Sequence, residues 1–160
     1  FHKYSAALEA QSNNTDAYEN FYAIWECFAE SALQYSCIFY NFFFGKYGND
    51  LHTFLNIYYD LFPEERNKYS LNIETMYFGK NYPERCRVIL SPLIDDARTR
   101  VTEENLDTCL IDKLSLKPIN EIIISLTKDL LSRKCNYPEL DRFELQKQML
   151  SMIHFVIDED

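Results

Sequence analysis

From Tyr18 to Phe43 apolar residues recur at the period of an α-helix: Tyr18, Phe21, Tyr22, Trp25, Phe28, Ala29, Ala32, Phe39 and Phe43. Residues three, four and seven apart share one helix face, so this run predicts a long amphipathic helix. Glu19, Glu26, Glu30, Gln34 and Asn41 take the opposite face. Asp16 offers an N-cap, and Glu19 stands three residues on, at the spacing of a capping box. Near the end of the run Tyr35, Ile38, Tyr40, Phe42 and Phe44 widen the apolar face. A helix that turns apolar all round is entering a core or a partner interface. Gly45 or Gly48 is placed to end it as a left-handed cap.

The rest of the chain reads the same way. Phe1 to Gln11 has the composition of a short helix, broken by Ser12-Asn13-Asn14-Thr15, so residues 1–15 read as a peripheral arm. Asn49 or Asp50 caps a helix striped by Leu51, Phe54, Leu55, Tyr58 and Phe62, closed by Pro63. Pro83 opens another, which Pro92 must kink or split. Thr102 is placed to cap one carrying Leu106, Leu110, Ile111 and Leu114. Pro118 opens the next, striped by Ile119, Ile122, Ile123, Leu126 and Leu130, with Arg133 and Lys134 in a last turn that favours cations. Ile122-Ile123-Ile124 could form a strand, but the stripe around it predicts helix. A final helix begins near Pro138.

With only Gly 3 and Pro 5, the chain lacks the turn residues that a sandwich or barrel needs. The fold class is therefore all-α: about six to eight helices packed as antiparallel hairpins, in an irregular bundle or a short α-solenoid-like array. A length of 160 residues suits one domain. The chain begins with Phe1 rather than Met, as a fragment of a larger protein would. Asn81-Tyr82-Pro83-Glu84 returns as Asn136-Tyr137-Pro138-Glu139, which allows either a repeat of hairpins or a shared helix-start grammar. Tyr82-Pro83-Glu84-Arg85 also resembles a short segment of CRAL-TRIO lipid-transfer domains. The α/β pattern that surrounds that segment in those domains is absent, so nothing is carried over.

The net charge of −9 disfavours nucleic acid, whose backbone calls for clustered Lys and Arg. The most apolar stretch, Ile38 to Phe44, is too short to cross a bilayer. Cys27, Cys37, Cys86, Cys109 and Cys135 are odd in number, widely spaced and without a C-x-x-C pair. That is a poor pattern for zinc or for disulfides, and it predicts buried thiols in an intracellular compartment, cytoplasm or nucleus. The sequon Asn13-Asn14-Thr15 points the other way, toward secretion.

No motif for catalysis, cofactor or metal stands out. His2, His52 and His154 are far apart, and His154 reads as a packed or surface histidine. Asp95-Asp96 point about 100° apart on a helix and read as solvated carboxylates. No glycine-rich phosphate loop exists. The expectation is a non-enzymatic scaffold or adaptor domain that binds a partner helix, or a second copy of itself as a homodimer, through an aromatic-rich surface. Its candidate residues are Phe42, Phe43, Phe44, Tyr47, Tyr58 and Tyr59. The alternative is a secreted or virus-encoded helical-bundle signalling protein.

Overall fold

The computed structural model describes residues 16–46, 48–66, 81–103 and 116–157. Among them the chain forms six helices, with no strand: α1 (Ala17–Gln34), α2 (Ser36–Phe44), α3 (Leu51–Leu61), α4 (Tyr82–Glu103), α5 (Leu116–Asn136) and α6 (Arg142–Ile157). A single helical turn, Pro63–Arg66, follows α3. The helices pack against each other as an all-α bundle. The arm at residues 1–15 and the helix expected around Leu106 to Leu114 lie outside the described residues.

Local chemistry explains where α1 begins. The Asp16 carboxylate accepts hydrogen bonds from the backbone N–H groups of Tyr18 (2.9 Å) and Glu19 (3.1 Å), satisfying two of the donors a helix start leaves open. The long helix expected to continue to Gly45 instead breaks at Tyr35 (φ −121°, ψ 45°), with no Gly or Pro to mark the place. Packing accounts for the break. It re-aims the following turns so that Phe39 and Phe43 enter the core while α2 lies along α5. Gly45 does end α2, but in extended backbone (φ −79°) rather than as a left-handed cap. Glycine is needed there for space, because a Cβ would lie 2.2 Å from the Asn41 carbonyl oxygen.

In α4 the N-cap is Asn81, whose side chain accepts from the Glu84 N–H at 3.0 Å, and Pro83 sits one residue inside the start. The helix is not split at Pro92. An interior proline costs about 3 kcal/mol. Leu90, Leu93 and Ile94 are buried around it, each contributing about 1.5–3 kcal/mol, while Pro92 itself is exposed. Their burial outweighs the lost hydrogen bond. The same helix runs on through Thr102, which therefore lies inside α4 rather than ahead of a new helix start.

Ile122-Ile123-Ile124 is helical, inside α5. This helix touches α1, α2, α4 and α6 and is the hub of the bundle. Its inward face carries Ile119, Ile123, Thr127, Leu130 and Leu131. The buried Thr127 hydroxyl donates to the Ile123 carbonyl (2.8 Å), and the Asn120 amide donates to the Pro83 carbonyl (3.0 Å), pinning the start of α5 to that of α4. The final helix starts at Arg142 rather than near Pro138. Asp141 caps it through the N–H groups of Phe143 (2.8 Å) and Glu144 (2.9 Å). Pro138 lies in the α5–α6 turn, where Lys134 holds the Leu140 carbonyl at 2.6 Å. The two Asn-Tyr-Pro-Glu copies thus occupy different places, one starting a helix and one crossing a turn, and they do not mark a structural repeat.

Candidate interaction surface

Aromatic rings build one end of the core. Trp25 meets Phe28 edge-on (5.3 Å between centroids), Phe28 meets Phe39 (5.9 Å), and Tyr82 from α4 closes on Phe43 (4.6 Å) and Phe44 (4.9 Å). The Arg85 guanidinium lies 5.7 Å over the Phe43 ring and Lys128 6.0 Å over Phe44.

This packing divides the expected aromatic site. Phe43 (6% exposed) and Tyr59 (7%) are core side chains. Phe39 and Phe43, one turn apart, share the inward face of α2; Leu51, Leu55 and Tyr59 do the same on α3. Neither offers surface, and for these two the interface expectation is corrected. Phe42 and Phe44 are half-buried against the core, and Tyr58 is exposed. Tyr47 lies outside the described residues.

Sequence reading overlooked several exposed apolar side chains beside them: Ile38 (64%) on α2, Phe54, Ile57 (57%) and Leu61 (69%) on α3, and Phe62 just after it. A signal for them was present. The apolar residues of α3 are too many for one stripe, since Leu51, Leu55 and Tyr59 complete a core-facing row. Phe54, Ile57, Tyr58 and Leu61 form a second row at the spacing of a helix–helix seam. Between α2 and α3 lies an open groove of about 460 Å³, lined by Cys37, Ile38, Asn41, Phe42, Leu51 and Phe54.

The groove wall is tied to the hub. Cys37 and Cys135 form a disulfide between α2 and the end of α5, with Cα atoms 4.8 Å apart and a sequence separation of 98. The expectation that each cysteine acts as a buried thiol is corrected for this pair. Wide sequence spacing hid a contact that only antiparallel packing of α2 on α5 creates. Cys27 and Cys86 keep their thiols. Burial pushes the Cys86 thiol up to about 12; burial, then the Glu30 and Glu26 carboxylates, also push Cys27 up. Both are thereby poor nucleophiles at neutral pH.

The described lining of the groove holds no acid or base. Its sulfur is oxidised, and the Asn41 amide donates to the Cys37 carbonyl at 2.8 Å. Elsewhere, His154 stacks on Tyr22 (3.8 Å, 9° between planes), joining α6 to α1. Asp95 and Asp96 are exposed. Among the described residues no three His, Cys, Asp or Glu converge as a metal site would require, and no helix is long and apolar enough to cross a membrane. Compared with known protein families, curated proteins and solved structures, the chain matches none.

Proposed function

We propose that this chain is a non-enzymatic interaction domain that docks another protein on the apolar surface of α2 and α3. The observation that carries the reading is the open groove together with the exposed Ile38, Ile57 and Leu61 beside it. Contiguous apolar surface of this kind is what binding sites use, whereas catalysis needs titratable groups that the groove's described lining lacks. The surface is presented rigidly on one side, because the disulfide and the α2–α5 packing hold that wall in place.

The test uses the double variant Ile57→Asp, Leu61→Asp. Both side chains are exposed, so helicity and melting temperature should stay within the range of ordinary surface substitutions. A partner recovered with the wild-type chain is purified and titrated against both proteins. Tight binding to the wild type and its loss in the folded variant support the reading; equal affinities refute it. Sedimentation of the chain alone shows whether the partner is a second copy.

A second reading concerns setting. The intracellular expectation rested on an absence of disulfide pairing. The Cys37–Cys135 bond supports an oxidising compartment, as for a secreted helical bundle. Trapping thiols in the source tissue before extraction decides this. Linked Cys37 and Cys135 peptides place the protein in an oxidising setting, and two alkylated thiols place it in a reducing one.

A further inference from the structure

The sequence along α3 carries a charge asymmetry that narrows the partner. From Asn49 to Glu65 the chain holds Asp50, Asp60, Glu64 and Glu65 and neither Lys nor Arg; Lys46 and Arg66 are the nearest cations on either side. Asp50, Asp60 and Glu64 are exposed. Asp60 follows Ile57 by three residues on α3, so its carboxylate borders the exposed apolar row on the helix surface. Asp50 stands at the N-terminal end of the row and Glu64 just beyond its C-terminal end. The row therefore has an acidic rim, on a chain whose net charge is −9.

We propose that the occupant of this surface is an amphipathic helix with an apolar seam flanked by Lys or Arg. The proposal rests on the docking-face reading above and adds the chemistry of the partner. Phe54, Ile57, Tyr58 and Leu61 recur at the spacing that a second helix packs along. From Phe54 to Leu61 the seam is about 11 Å long, enough for two turns of partner helix. Ile38 and the groove beside Phe54 accept side chains from the same partner's edge. Charge selects among helices of that shape. A second copy of this chain would set one acidic rim against another and add like net charges. A basic helix places cations beside the carboxylates.

The full-length chain is titrated by fluorescence anisotropy with three synthetic helices that share one leucine seam and carry Lys, Gln or Glu at the flanking positions. At low salt the Lys helix should bind about tenfold tighter than the Gln helix and the Glu helix weakest, and the spread should shrink at high salt as the rim is screened. Asp60→Lys with Glu64→Lys should reverse the order without loss of helicity. Ile57→Asp with Leu61→Asp should abolish binding of all three. Equal binding of the Lys and Gln helices overturns the charge selection and leaves the docking face standing. Failure of every helix to bind the wild type overturns both. Self-association that is lost in Ile57→Asp, Leu61→Asp makes a second copy the occupant and overturns the proposal.

Discussion

Breaking the Cys37–Cys135 bond should cost this domain a large share of its stability while leaving its secondary structure in place. The bond closes a loop across 98 residues of sequence, most of the bundle. In the chain-entropy description, a loop near 100 residues restricts the unfolded chain by about 4.7 kcal/mol at 25 °C. Measured effects of removing native disulfides fall at about 2–5 kcal/mol, and net stabilities of domains at about 5–15 kcal/mol. For a chain of this size each kcal/mol moves the melting temperature by roughly 2–4 °C. Cys37→Ser, Cys135→Ser and the double variant should therefore all melt roughly 10–20 °C below wild type. They should agree with one another, because each removes the same bond. Calorimetry with and without dithiothreitol is the assay: reductant should lower the wild-type transition to that of the variants and leave the variants unmoved. The α2–α5 contact survives in the variants, so far-ultraviolet circular dichroism at low temperature should be unchanged. A wild type that melts at the same temperature with and without reductant would refute the reasoning.

Three further outcomes follow from the packing. Phe43→Asp puts a carboxylate among Phe28, Phe39 and Tyr82 and should unfold the domain or cost more than about 3 kcal/mol in urea titration, whereas Leu61→Asp should cost less than about 0.5 kcal/mol. Asp141→Ala removes the two cap bonds of α6 and should cost about 0.5–2 kcal/mol, seen first as faster amide exchange in the first turn of that helix. The Cys86 thiol is raised in the folded state, so its contribution is complete below pH 9 and is lost as pH rises toward about 12. Wild-type stability should fall above pH 9 by up to about 1.4 kcal/mol per pH unit more steeply than that of Cys86→Ala, by denaturant titration at stepped pH. Parallel slopes would rule out a raised Cys86.

How far the site was legible depended on the element. On α3 the sequence placed an amphipathic helix correctly but merged two apolar rows into one stripe, so Tyr59 was counted as surface and Ile57 and Leu61 were passed over. A hydrophobic period says that a face is apolar; it does not say how much of that face a small bundle can cover. On α2, Phe42, Phe43 and Phe44 are chemically alike in sequence. Only the direction in which the helix leaves Tyr35 decides that Phe43 points at Tyr82 while its neighbours stay half-buried.

What the sequence by itself determined is local and periodic: the helical class, the Asp16 cap, the helical state of Ile122 to Ile124, and the paucity of turn residues that leaves little else possible. These follow from interactions within a few residues, which any stretch of chain carries with it. Tertiary structure alone decided the break at Tyr35, the unbroken passage through Pro92, the division between core and exposed aromatics, and the meeting of Cys37 with Cys135. Each of these is a competition between a local preference and contacts far away in sequence. The distant contacts win because burying several large side chains outweighs one lost hydrogen bond or one unfavourable backbone angle.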